Sequence, residues 1–253
     1  MDDLATLGDS LRTRVFGRAH EHHERLGSTN DRATMWLREG GPHGLVVTAE
    51  TQTAGRGRNG RAWSSPAGGN LYVSLGLRVA SARRDLSALG LVVGLALYEG
   101  LGPIDGLGLK WPNDLLVGDR KLAGVLCESR WGREVELVVG FGLNLRREGI
   151  DSAVAEHAVA LEEVSSEPRR VAVLAALLAS LERCLDAFLM VGFDPFIDRY
   201  AQANVQLGQR VRVVSGDETF EGLAENIDGQ GALRVQTDTG VRVVHAADVT
   251  RVR

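Results

Sequence analysis

Apolar runs separated by glycine-rich or polar breaks divide the chain into alternating strands and helices. Gly44 to Glu50 and Leu71 to Arg78 are short and continuously apolar at their centres, which predicts buried strands. Leu86 to Leu101 is apolar on nearly every side, which predicts a buried helix whose glycines and alanines allow close packing. Leu107 to Trp111 begins another strand, and Pro112-Asn113-Asp114 breaks it or marks an edge or bulge. Asp114 to Glu128 predicts a hairpin turning at Gly118-Asp119, and Glu134 to Leu145 predicts the next strand. Residues 146–167 are polar and irregular. Pro168 then suits a helix start, Arg169 to Leu189 has helical periodicity, and Phe193 to Asn204 predicts a second helix. At the other end, residues 1–27 are polar and predicted helical, with His20, His22 and His23 on a solvated face. Ser28-Thr29-Asn30-Asp31 supplies N-cap residue types ahead of a helix over Arg32 to Glu39.

From Leu207 the texture changes. Gln209 to Val214, Glu218 to Ile227, Leu233 to Thr237 and Val241 to His245 alternate apolar and polar positions. Asp217, Asp228-Gly-Gln-Gly231 and Asp238-Thr-Gly240 stand at the breaks. Short alternating strands with Gly/Asp turns predict a small β-barrel over residues 206–253, following an α/β (α+β) part over residues 1–205.

Between the first two apolar strands lies Gln52 to Asn70, with three arginines (Arg56, Arg58, Arg61) and five glycines. A loop this long inside a compact domain is usually functional or disordered. Glycine permits close backbone approach to a ligand, and each guanidinium offers a planar fork of donors matched to carboxylate or phosphate, so an anionic ligand is indicated. Gly55-x-Gly57-x-x-Gly60 also spells a dinucleotide fingerprint. That reading needs a helix directly after the motif, and Arg61-Ala-Trp-Ser-Ser-Pro cannot start one. No Gly-Lys-Ser/Thr follows, so a P-loop is excluded as well.

The totals set limits. A chain of 253 residues suits a main domain with a small appendage. Its net charge of −4 argues against broad nucleic-acid binding, although a local basic site such as the arginine loop fits within an acidic whole. The two cysteines, Cys127 and Cys184, exclude a disulfide scaffold or structural zinc site and fit a reducing cytoplasm. No apolar run reaches the roughly 18–20 residues of a membrane span, and no signal peptide opens the chain.

Five landmarks occur in order: Ser28-Thr29-Asn30, Gln52 with the arginine loop, Lys110-Trp-Pro-Asn113-Asp114, Lys121-Leu-Ala-Gly124, and Gly140-Phe-Gly-Leu-Asn144. In spelling and order they resemble bacterial biotin protein ligase over roughly residues 25–250 of this chain. The combination Gly-Arg-Gly-Arg-x-Gly-Arg-x-Trp, Lys-Trp-Pro-Asn-Asp and Lys-Leu-Ala-Gly is highly specific. The resemblance implies a mixed sheet with helices on one face, related to the class II aminoacyl-tRNA synthetase catalytic domain, and a C-terminal SH3-like barrel. It also implies a ligase forming a C–N (amide) bond, with ATP and biotin as substrates and Mg²⁺ carried by the ATP phosphates. Biotinyl-5′-AMP would form first, and a lysine of a biotin carboxyl carrier domain of an acyl-CoA or pyruvate carboxylase would then take the biotinyl group.

By the same resemblance, Lys121 contacts the biotin carboxylate and α-phosphate, Arg58 closes over the adenylate, and Asp114 orients or deprotonates the incoming lysine. Ser28, Thr29, Asn30, Gln52, Gly55, Arg56 and Gly124 are expected around biotin, with Lys121. Arg56, Arg61, Trp63, Asn113 and Asn144 are expected around ATP, and no protein metal site is assigned. Trp111 is expected to serve packing. Some relatives carry an N-terminal winged helix and repress transcription. About 27 residues precede the Ser-Thr-Asn motif here, so a form without operator binding is expected, cytoplasmic and monomeric rather than dimeric. The rival readings are a lipoate ligase or octanoyl transferase, a non-catalytic biotin-binding protein, and the nicotinamide oxidoreductase set aside above.

Overall fold

The computed structural model describes residues 4–80 and 86–252. Two sheets organise it. The larger contains β1 (His20–Leu26), β2 (Leu45–Gln52), β3 (Leu71–Ala80), β4 (Leu107–Lys110), β5 (Asp114–Val117), β6 (Arg120–Trp131) and β7 (Glu134–Leu143), in the order β1-β2-β3-β7-β6-β5-β4. The β1–β2 pair is parallel and the other pairs are antiparallel, so the sheet is mixed. The β5–β6 hairpin turns on Gly118 and Asp119. Gly118 has φ +61°, the conformation a type II′ turn requires at its first central position.

Alternation along β7 decides what each face does, because successive side chains point to opposite faces. Leu137, Val139, Phe141 and Leu143 enter the main core. That core is covered by α3 (Leu89–Leu101) and α4 (Arg170–Val191), whose apolar lengths pack on each other. Val138 turns the other way, into a smaller cluster with Ala33 and Leu37 of α2 (Thr29–Arg38). The second face is therefore partly covered by one short helix, and Gly140 and Gly142 continue it beneath the side chains of Asn30 and Trp63. Each fully buried aliphatic side chain contributes roughly 1.5–3 kcal/mol of transfer free energy. The two long helices on the main-core side accordingly hold the sheet, and α2 holds only one end of the opposite face.

The N-terminal expectation fails at its end. Residues 20–26 are not a helix with a solvated histidine face but the parallel edge strand β1. Only Leu4–Thr6 and α1 (Leu7–Ser10) are helical in the described part of residues 1–27, and the first three residues lie outside it. The reason is chemical. His20 and His22 both meet the Thr48 hydroxyl of β2, at 2.8 and 2.9 Å, so polar side chains fill positions where apolar ones would have revealed a strand.

The second sheet holds β8 (Arg210–Ser215), β9 (Glu218–Ile227), β10 (Leu233–Thr237), β11 (Gly240–Val244) and β12 (Asp248–Arg251), in the order β11-β10-β9-β8-β12. The first four match the predicted strands, and β12 is additional. After α5 (Asp194–Ala203), the buried Gln206 ties this unit to the larger sheet. Its Oε1 accepts from the Trp111 backbone N–H at 2.8 Å, and its Nε2 donates to Val249 O at 3.0 Å. The Trp111 indole N–H donates to Gly231 O at 3.0 Å. Trp111 is 1% exposed, so its expected packing role holds, and it also anchors the barrel.

Candidate active site

A cleft of about 180 Å³ opens on the glycine-bearing face of the large sheet. One wall is the start of α2. Ser28 occupies the N-cap position, but its hydroxyl does not cap the helix. The wall is instead a buried hydrogen-bond network. Gln52 Oε1 accepts from the Thr29 N–H at 2.8 Å and from Thr29 Oγ1 at 3.1 Å, and Gln52 Nε2 donates to Ser65 Oγ at 2.9 Å. Ser74 Oγ sits 2.8 Å from Thr29 Oγ1 and 2.6 Å from Asn30 Oδ1. Asn30 Nδ2 donates to Glu128 Oε2 at 2.6 Å. Gly140 makes this possible, since a Cβ there would lie 2.1 Å from Asn30 Oδ1.

The opposite wall carries charge. Lys121 Nζ lies 2.7 Å from Asp114 Oδ1 and 5.1 Å from the centre of the Trp63 ring. The Lys121–Asp114 contact is an ion pair rather than a straight hydrogen bond. Trp63 rests on the sheet backbone, where a Cβ on Gly142 would meet its Cε2 at 2.4 Å and one on Gly124 its Cζ3 at 2.9 Å. Its indole N–H is buried with no partner among the described residues.

The arginine loop spans the two walls. It turns at Asn59 (φ +56°) and Gly60 (φ +72°), and Arg56 bridges Ala62 across it. Arg56 reaches Asp31 at 2.7 Å and Glu128 at 3.3 Å, and Arg61 reaches Asp248 of β12. These carboxylates raise both guanidinium pKa values, the hydrogen bond to Asp31 contributing most for Arg56 and that to Asp248 most for Arg61. Arg58 differs. Its Nη1 donates to the neutral Asn113 Oδ1 at 3.4 Å, and among the described residues it forms no ion pair. Burial lowers its pKa from the ordinary value, against the opposing pull of Asp248 and Asp114. A half-buried guanidinium without a carboxylate partner favours an incoming anion.

Of the sequence-predicted residues, Ser28, Thr29, Asn30, Gln52, Arg56, Arg58, Arg61, Trp63, Asn113, Asp114, Lys121 and Gly124 line this cleft. Gly55 and Asn144 do not. A Cβ on Gly55 would meet Trp63 O at 2.5 Å, so that glycine serves the fold of the loop. Asn144 Nδ2 donates to Lys121 O at 3.1 Å and supports the strand beneath Lys121. Sequence reasoning missed Ser74, Glu128 and Asp248. The first two are ordinary strand residues, and Asp248 stands 187 positions from its partner Arg61. Asp248 carries no local signal.

The fold and the cleft define a protein of the biotin and lipoate ligase class. Residues 23–144 match the Biotin/lipoate A/B protein ligase family, and residues 207–251 match the Biotin protein ligase C terminal domain. The chain is 35% identical over 238 residues to the biotin–[acetyl-CoA-carboxylase] ligase of Paracoccus denitrificans, covering 89% of this chain and 97% of that protein. It is also 35% identical over 200 residues to the bifunctional ligase/repressor BirA of Escherichia coli, covering 77% of this chain but 62% of that longer protein. Among solved structures, the biotin protein ligase of Aquifex aeolicus in complex with biotin and ATP superposes with a TM-score of 0.80 at 27% identity. That match covers 93% of this chain and 100% of the other. The chain belongs to the biotin protein ligase family.

Proposed function

We propose that this protein activates biotin with ATP and transfers the biotinyl group to a lysine of a biotin carboxyl carrier domain. The carrying observation is convergence: Lys121, Arg58 and the Ser28–Asn30 wall face one cleft. In the first step a biotin carboxylate oxygen attacks the α-phosphorus, the bond between that phosphorus and the bridging oxygen breaks, and pyrophosphate leaves. An anion approaching a polyanion needs its repulsion offset, and preorganised cations at the reacting oxygens supply the largest such effect. Lys121 is assigned to the shared carboxylate and α-phosphate oxygens, and Arg58 and Arg61 to the phosphates. The ureido ring is neutral and needs donors and acceptors together, which Ser28, Thr29, Asn30 and Gln52 offer, with Gly124 giving close backbone approach. Trp63, which lines the same cleft, offers its ring.

In the second step the carrier amine attacks the acyl carbon and AMP departs. Asp114 is assigned to orient that amine and accept its proton, because its carboxylate already holds an ammonium at 2.7 Å. Mg²⁺ is assigned to the ATP phosphates. Among the described residues no group of three His, Cys, Asp or Glu could hold an ion, and Asp114 and Asp248 in the cleft are paired to Lys121 and Arg61.

Residues 1–205 would supply the catalytic domain and residues 206–253 the barrel. The match of residues 207–251 to a biotin-ligase domain favours biotin over lipoate. Among the described residues no helix is long and apolar enough to cross a membrane. Incubation with ATP, Mg²⁺, biotin and a purified carrier domain should add one biotinyl group to the carrier by intact mass. Biotin should also drive exchange of labelled pyrophosphate into ATP. Addition from lipoate in place of biotin, or biotin binding without exchange, would overturn the assignment.

A further inference from the structure

The barrel contributes to the cleft. Asp248 opens β12, between the buried Ala247 and Val249, and all three residues line the cavity. Its neighbour Val249 is tied through Gln206 to the Trp111 backbone, and the Trp111 indole is tied to Gly231, so the barrel edge stands at a fixed place beside the Lys110–Asp114 segment. From that fixed place the Asp248 carboxylate pairs with Arg61, at the far end of the loop that carries Arg58. The loop's near end is held by Arg56 on Asp31 and Glu128. These ion pairs, two from Arg56 and one from Arg61, pin the loop across the cleft at both ends and leave Arg58, between them, with a neutral partner.

We propose that Asp248 is a positioning residue for the ATP half of the reaction: held by the barrel, it keeps Arg61 and the glycine loop closed over the nucleotide side of the cleft. This deepens the ligase reading and rests on it. Arg61 and Asp248 side chains are 64% and 40% exposed, so the pair is a partly solvated one and its removal should loosen the loop rather than unfold the protein. A carboxylate at this spot also repels phosphate. If repulsion dominated, its removal would tighten ATP binding, which is the opposite sign.

The test uses the full chain and Asp248→Asn, with Asp248→Glu as the variant that keeps the charge. Limited trypsin digestion without ligand, read by mass spectrometry at Arg56, Arg58 and Arg61, should be faster in Asp248→Asn and close to the parent rate in Asp248→Glu. In biotin-dependent pyrophosphate exchange, Asp248→Asn should raise the KM for ATP by about two- to five-fold, the range of an exposed ion pair, while the KM for biotin does not follow. Equal cleavage at the loop arginines in parent and Asp248→Asn overturns the inference, whatever the chain's activity. So does an unchanged or lowered KM for ATP. Absence of exchange in the parent protein would instead strike the ligase reading, and the cleavage comparison would still decide the role of Asp248 in holding the loop.

Discussion

The α2 wall of the cleft and the arginine loop that closes it, the loop wall, solve different problems with different physics. The α2 wall is neutral and buried, and it is cross-linked: Ser28, Thr29 and Asn30 are 3–5% exposed, and most of their neighbours are hydrogen-bonded twice. The loop wall is cationic and partly solvated, held by ion pairs whose arginines are 36–64% exposed. Buried polar groups must all be satisfied or the fold suffers, whereas exposed ion pairs contribute little to stability and act mainly on what approaches them. A neutral ring therefore suits a rigid wall, and a polyanion that must enter and leave suits a loosely pinned one. Changes on the loop wall should alter rate far more than stability, and changes on the α2 wall should alter both.

The largest effect should follow Lys121→Ala. The ammonium sits between Asp114 and the Trp63 face, where it would meet developing charge. Loss of one such preorganised group costs about 10²–10³ in rate, so pyrophosphate exchange should fall by that order while the melting temperature moves little. A fall below ten-fold would remove Lys121 from the catalytic role.

Next is Asn30→Ala. It strips the acceptor from Ser74 Oγ and a donor from Glu128, and it opens space above Gly140. Orphaning buried partners costs roughly 1–3 kcal/mol, so denaturant unfolding should register a loss of that size together with a raised KM for biotin. Full stability with weakened biotin binding would mean that this wall, too, is only loosely held.

How much of this was legible in the sequence follows the same division. The loop, Lys-Trp-Pro-Asn-Asp and Lys-Leu-Ala-Gly are local spellings, and the structure brings them to one cleft. Hydrophobic runs such as Leu71 to Leu77 and the alternation after Leu207 reported their strands directly. Edge positions were illegible, because a strand with one neighbour and polar inward residues has no apolar period: β1 read as helix and β12 was not seen. Cross-chain partners were illegible too. Nothing near Asp248 or Glu128 in the sequence distinguishes them from other strand carboxylates, and only the closed fold puts them on Arg61 and Arg56.

The misread strand gives the third prediction. Burial, with His22 nearby adding to it, lowers the His20 pKa to about 4 from an ordinary 6.5. The unfolded chain thus binds this proton before the folded one does. Stability from this site is complete above pH 6.5 and declines as pH falls from 6.5 toward 4, by at most about 1.4 kcal/mol per pH unit. Denaturant midpoints measured over that window should slope in the parent protein and flatten in His20→Gln. Equal slopes would place the acid sensitivity elsewhere.

The smallest effect should come from Arg56→Gln, and it is the sharpest test of the contrast between the walls. Arg56 makes two ion pairs, and its side chain is 36% exposed. Removing it leaves Asp31 in water at 55% exposure, and Glu128 keeps its bond from Asn30, so no buried group is orphaned. The expected loss is below about 1 kcal/mol, or roughly 2–4 °C in melting temperature for a chain of this size. Trypsin cleavage at Arg58 should quicken all the same, because that end of the loop is unpinned. If Arg56→Gln costs as much stability as Asn30→Ala, the loop is part of the rigid framework, and the distinction between a fixed wall for the ring and a yielding one for the phosphates fails.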